Sequence, residues 1–167
     1  MPPIDGLKVV RSEIHGYGVV TLNPISAGEV VVYGDGIVYR EDDDFDDEYS
    51  LVLAGSDDED DEDPVPLYFD LTDQTRWINH SCSPNTEVDT SWDPETRIAT
   101  AWWIALRDIE AGEELAYDYA FSAHLAMPCS CRASACRGVI VDESEINQIP
   151  ARLKPLLRTR KTRRRRA

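Results

Sequence analysis

At 167 residues, with 42% hydrophobic side chains and a formal charge of −15, the chain has the length and apolar content for one compact domain with its own core. No apolar run approaches the roughly 20 residues of a membrane-spanning helix, and Met1-Pro2-Pro3-Ile4-Asp5 does not open a secretory signal, so the expectation is an intracellular protein with no membrane partner. The charge is uneven: 41–48 and 57–63 carry seven acids each and 158–167 carries seven bases, and such like-charged blocks are expected to be mobile appendages.

In chain order, 9–10 and 19–22 read as short strands flanking the turn Ile14-His15-Gly16-Tyr17-Gly18. A loop over 24–29 leads to β-branched strand segments at 30–33 and 37–40, which bracket Gly34-Asp35-Gly36. The acidic runs flank 49–53, a short strand or helical turn, and 67–71 is a further strand. Residues 75–78 are apolar enough to be buried and lead into a polar stretch beginning at Asn79. Segments 87–88 and 98–105 read as strands joined by a turn at 93–96, and a turn at 110–112 precedes a strand over 114–117. Only 144–157 has a helical pattern, interrupted by Pro150 and Pro155. The sum is a mostly-β domain with little helix.

The four cysteines divide into Cys82 alone and Cys129, Cys131 and Cys136 in one short loop. Thiolates are the ligands structural Zn²⁺ prefers, and four close its tetrahedral shell. C-x-C-x4-C supplies three, which leaves Cys82 as the candidate fourth. Inside the cell a metal is favoured over disulfides or plain buried thiols. His15 and His124 read as ordinary surface or turn histidines.

Four stretches together resemble one family. Gly16-Tyr17-Gly18 with Gly28-Glu29 downstream is similar to the opening motif of SET-domain lysine methyltransferases, and Arg76 through Asn85 (RWINHSCSPN) resembles their R-F-I-N-H-S-C-x-P-N signature. Arg107-Asp108-Ile109 with Gly112 through Tyr119 (GEELAYDY) resembles the R-D-I and G-E-E-L-x-Y-D-Y block, and Cys129 to Gly138 resembles the post-SET zinc loop. The resemblance covers about 8–138 and implies a SET domain at 8–122 with an acidic insert at about 41–66, a post-SET zinc loop at 123–140, and a C-terminal extension with an Arg-rich tail at 141–167. With no cysteine-rich segment ahead of residue 8, the expectation is a minimal SET plus post-SET unit.

The implied fold is several small sheets with a knot-like C-terminal threading beside the cofactor and a zinc-bound loop closing over it. The implied reaction moves a methyl group from S-adenosylmethionine to a protein lysine. By resemblance, Gly16, Tyr17, Gly18, Asn79, His80 and Tyr119 bind the cofactor, and Cys82, Cys129, Cys131 and Cys136 bind one zinc ion. Tyr119 is the implied catalytic residue, and Tyr117 the one that limits the number of methyl groups, here to one or two. Read by periodicity alone, the two tyrosines would simply fill core.

The family's channel-wall tyrosine falls at Gly34 in this chain, with Tyr33 beside it as the possible substitute. The implied partner is a basic protein such as a histone tail, which the acidic runs would attract. The Arg-rich end suggests nucleic-acid contact, nuclear import or self-inhibition, with Lys161 an automethylation candidate, and the implied location is nuclear or chromatin-associated in a eukaryotic host. A non-histone acceptor, or a catalytically silent module binding basic tails, has the same outline; intact Asn79, His80 and Tyr119 favour the enzyme.

Overall fold

The structure is a computed structural model that describes residues 3–53 and 66–158. The second acidic run and the Arg-rich tail beyond Arg158, Lys161 included, lie outside the described residues. The described chain is mostly β, with twelve short strands in five small sheets, five 3-10 turns and no α-helix among the described residues.

β1 (Leu7–Arg11) and β2 (Tyr17–Thr21) form an antiparallel hairpin. β3 (Val30–Gly34), β8 (Thr86–Asp93) and β9 (Ile98–Ala105) form an antiparallel sheet with β9 in the middle. A second sheet holds β4 (Gly36–Arg40), β5 (Ser50–Val52) and β6 (Leu67–Leu71), with β6 central. β6 shows why: Leu67, Phe69 and Leu71 are buried while Tyr68 and Asp70 alternate with them, the period of a strand with one face on a core. β7 (Asn79–His80) and β10 (Ala116–Tyr117) pair in parallel, with Asn79 opposite Ala116 and His80 opposite Tyr117. β11 (Met127–Pro128) and β12 (Val139–Ile140) close the cysteine loop as an antiparallel pair.

The main core gathers Val19, Ile78, Trp103, Ile109 and Leu115 between the sheets, all essentially inaccessible to solvent. A smaller core joins Ala123, Ala126, Val139, Val141, Ile149 and Leu153. It packs the end of the cysteine loop and the segment after it into one unit.

Four sequence expectations need correcting. The helical pattern over 144–157 yields only 3-10 turns at Glu143–Glu145 and Lys154–Leu156, because Pro150 and Pro155 remove amide donors and bar a continuous ladder. The strand expected over 114–117 is ordered as β10 at its last two residues only, with Glu114 making an isolated bridge to Val20. The short strand at 87–88 extends to the eight residues of β8, paired throughout with β9. The first acidic run is held in place: Phe45 stacks on Tyr39 at 4.4 Å, and Asp46 caps the turn Asp47–Tyr49.

Candidate active site and metal centre

The parallel pair β7–β10 sets the site. Beyond the strand pairing, the Ser81 N–H donates to the Tyr117 carbonyl (2.9 Å), the Asn85 N–H to the Ala116 carbonyl (3.2 Å), and the Ala116 N–H to Asn85 Oδ1 (2.8 Å). Two stretches far apart in sequence are thereby fixed side by side.

Gly16, Tyr17 and Gly18 turn the β1–β2 hairpin toward β7. Gly16 has φ +49°, in the left-handed region that suits glycine. A Cβ on Gly18 would displace the Glu114 carboxylate from its present place. Asn79 Nδ2 donates to the Tyr17 carbonyl (2.7 Å), to Glu114 Oε1 (2.9 Å) and to the His15 carbonyl (3.3 Å), while the Ser12 hydroxyl donates to the same Glu114 oxygen (2.7 Å). Asn79 thus fastens the glycine turn to β7.

His80 is 3% exposed. Its Nδ1 accepts the Tyr119 N–H at 3.2 Å and its Nε2 lies 3.3 Å from Cys82 Sγ. Burial, which outweighs the raising effect of Asp118, lowers its pKa to about 4. The ring is therefore neutral near pH 7, with its proton on Nε2 facing the sulfur. Asp118 lies 3.4 Å from Nδ1, but that nitrogen has no proton to share, so the contact is not an ion pair.

The Tyr119 hydroxyl donates to the Ile78 carbonyl (3.0 Å), and the Tyr117 and Tyr119 rings lie 4.8 Å apart. Burial raises the pKa of both hydroxyls, and neighbouring Tyr49 adds to the effect at Tyr119. Both stay protonated across the physiological range. Phe121 and His80 complete the aromatic wall around Tyr119, each 5.4 Å from its ring.

Tyr33 is 63% exposed. It faces away from Gly34, where a Cβ would stand 2.9 Å from the Trp103 ring and 3.0 Å from Thr75 Oγ1. Trp103 fills that space, edge-on to Tyr117 at 5.9 Å, with its buried indole N–H unpartnered among the described residues.

Cys82, Cys131 and Cys136 are buried, Cys129 is half-buried, and none forms a disulfide. Cys82 and Cys129 sulfurs lie 3.7 Å apart, close to the roughly 3.8 Å edge of a tetrahedron with 2.3 Å metal–sulfur bonds. The N–H groups of Cys82, Cys131, Arg137 and Gly138 all point at sulfurs, at 3.3–3.5 Å. Burial pushes the Cys82 thiol up to about 11 and raises Cys129 further. At Cys131 burial also opposes ionisation, yet the N–H groups of Cys82 and Ala133 and the adjoining thiols draw it down to about 7. Such a crowded donor set suits a cation that would stabilise all the thiolates.

Ligand atoms of His80, Cys82, Cys129 and Cys131 lie within 4.8 Å of one another. The His80 tautomer makes its Nε2 a donor to Cys82 rather than a lone pair for a metal. Cys136 shares the buried cluster with Cys82 and Cys131. Beside it, a cavity of about 380 Å³ is lined by Ile14, Cys129, Ser130, Arg132, Cys136 and Arg158.

Several residues of the site escape a motif-based reading. Tyr49 packs on Trp77 at 5.2 Å with the Arg76 guanidinium 4.2 Å above it, although it adjoins an acidic run that signals only loop. Glu114 is the hub of the glycine turn, and Arg137 makes a two-bonded ion pair with Asp118. Both lie inside recognised motifs but carry no periodic or spacing signal of their own. His15 and His124 are exposed.

The family model for the SET domain matches residues 16–120, more than half of the chain. Over 148 residues the chain is 34% identical to human histone-lysine N-methyltransferase 2B, covering 80% of this chain and 5% of that protein. Similarity to histone-lysine N-methyltransferase ASHH3 of Arabidopsis thaliana is 35% over 144 residues, covering 80% of this chain and 38% of the relative. The H3 lysine-4 specific enzyme of Yarrowia lipolytica is 34% identical over 151 residues, 80% of this chain and 12% of the relative. The chain therefore spans well under two thirds of these relatives. Among solved structures, KRYPTONITE in complex with mCHG DNA and SAH aligns with TM-score 0.64 and 28% identity, over 80% of this chain and 28% of the other. Its complex with mCHH DNA, an H3(1-15) peptide and SAH aligns at 0.63, over 80% and 29%.

Proposed function

The chain belongs to the SET-domain family, and from that premise we propose that it transfers a methyl group from S-adenosylmethionine to the ε-amine of a lysine in a basic protein. The carrying observation is the β7–β10 pair, which brings a neutral buried His80, the Tyr119 amide and the Tyr119 hydroxyl to one point. Populating the neutral amine of lysine at pH 7 costs about 4–5 kcal/mol. The dry aromatic wall of Tyr117, Tyr119, Phe121 and Trp103 disfavours the ammonium and lowers that cost. The amine lone pair then attacks the sulfonium methyl in line as the carbon–sulfur bond breaks, leaving S-adenosylhomocysteine and a methylated lysine. The amine's proton leaves to water, and no side chain of the site has to act as base. The Tyr119 hydroxyl, its hydrogen committed to Ile78, turns oxygen lone pairs toward the acceptor and orients it.

Gly16, Tyr17, Gly18, Asn79, His80 and Tyr119 form the cofactor side. The Asn79 amide nitrogen is spent on the glycine turn, which leaves its oxygen for the ligand. Cys82, Cys129, Cys131 and Cys136 would hold one zinc ion, with His80 donating to Cys82 from outside the ligand shell. The ion would supply no chemistry beyond fixing the cysteine loop against the cofactor side. Tyr117 sets the product at mono- or dimethylation, since its hydroxyl occupies space a methylated amine needs. A histone tail is the favoured acceptor, consistent with a relative that acts on H3 lysine-4 and a structural neighbour bound to an H3 peptide; the location that follows is the nucleus. Incubation with labelled S-adenosylmethionine and a panel of histones and ribosomal proteins, read by mass spectrometry, tests this. Methylated lysine that disappears in Tyr119→Phe is expected, and peptide binding without transfer would instead make the chain a silent binding module.

A further inference from the structure

Arg137 directly follows Cys136 and is only 7% exposed. Its backbone N–H donates to Cys82 Sγ (3.4 Å) and its carbonyl accepts the Arg158 N–H (2.9 Å). Its guanidinium reaches Asp118 through two bonds, Nη1 to Oδ2 at 2.5 Å and Nη2 to Oδ1 at 2.7 Å, with Glu143 3.7 Å from Nη1. A planar guanidinium matches a carboxylate with both forks, so the pair fixes orientation as well as distance.

Asp118 stands between Tyr117 and Tyr119. Alternate side chains of an extended segment point to opposite faces. The two tyrosine rings lie together, 4.8 Å apart, and the Asp118 carboxylate points away from them, gripped by Arg137 and 3.4 Å from His80 Nδ1. The same carboxylate accepts the Ala120 N–H (3.1 Å), and Ala120 has φ +46°, a turn that a non-glycine residue holds only when its surroundings enforce it. A Cβ on Gly138, the next residue after Arg137, would land on the Leu156 carbonyl. The segment ending at Arg158 is therefore docked hard against the same point.

We propose that Arg137 is a positioning residue for methyl transfer. By clamping Asp118, it holds Tyr117 and Tyr119 in place for the acceptor and couples that placement to closure of the cysteine loop and docking of residues 141–158. This rests on the methyl-transfer reading given above. A residue that only glued the loop would be needed for metal retention and for ligand binding, whereas a clamp on the tyrosine segment acts on the chemical step.

The test uses the full zinc-loaded chain and compares Arg137→Gln, Arg137→Lys, Asp118→Asn and the Arg137→Gln/Asp118→Asn pair. Metal content, hydrogen exchange of amides 117–121, kcat and KM are measured for each. Arg137→Gln is expected to keep its zinc, to lose about 100-fold in kcat with KM within about threefold, and to exchange faster at 118–120. Asp118→Asn should match it, the pair should be no worse than either single variant, and Arg137→Lys should recover part of kcat. Multiplicative single effects, unchanged exchange at 118–120, or loss of zinc alongside kcat would each overturn the clamp. Should the unaltered chain transfer no methyl group, the methyl-transfer reading fails instead, and the exchange and metal measurements still decide the clamp.

Discussion

Tyr119 illustrates how one side chain can be tuned without a charged partner. Its hydroxyl is buried, donates to Ile78 and has a raised pKa, so in the proposed reaction it would serve as an aimed dipole rather than as a base. Tyr119→Phe should lower kcat by about 100-fold while thermal unfolding stays close to that of the unaltered chain. The sign of the pH dependence follows. A tyrosine raised above its ordinary value remains neutral below pH 10, so kcat/KM should climb with pH as the acceptor amine deprotonates. A falling limb before pH 10 would show that Tyr119 ionises. At Tyr117, replacement by Phe should shift the product toward higher methylation, and an unchanged distribution by mass spectrometry would remove its proposed role. Trp103 and Gly34 form a matched pair at the same wall: the indole sits where a side chain on Gly34 would have to be. That exchange of volume was not legible from either residue alone, because it is a contact between β3 and β9.

Among the elements, the segment 141–158 departs furthest from its sequence reading. Its apolar residues suggested a helix, yet two prolines break the ladder, and Ile149 and Leu153 instead complete a small core under the cysteine loop. Leu153→Ala should therefore cost about 2–5 kcal/mol locally, read as faster hydrogen exchange over 123–141 with little change in β8 and β9. The cysteine loop is fastened from two sides, by that core and by the sulfur cluster. Removing zinc with a chelator, or making Cys82→Ser, should abolish transfer and loosen 127–140 while much of the β core persists, since no residue of the main core belongs to the cluster. Activity surviving complete metal removal would break this link. The strand elements were far more legible: β4, β6 and β9 announce themselves through β-branched or aromatic alternation and bounding turns.

For the molecule as a whole, the first acidic run lies against the aromatic side chains near the proposed site. The first acidic run is anchored through Phe45 and the capped turn at Asp47–Tyr49, which places fixed negative charge beside Tyr49 and hence beside Tyr119. Replacing Asp42, Asp43, Asp44 and Asp46 with Asn should raise KM for a Lys/Arg-rich peptide at low salt and matter little at molar salt, where charges beyond about 3 Å are screened. Equal KM at both salt levels would remove the steering role. By itself the sequence determined the mostly-β class and the lysine-methyltransferase family, and it singled out the tyrosines, Asn79, His80 and the four cysteines as the residues of the proposed site. Those follow from local patterns and from motifs whose residue order is the signal. Only the tertiary structure decided that Asn79 spends its amide on the glycine turn, that His80 is neutral and faces Cys82, that Tyr33 turns outward, and that Arg137 grips Asp118. Each of these joins segments distant along the chain, and hydrogen-bond geometry and burial exist only once the sheets have brought those segments together.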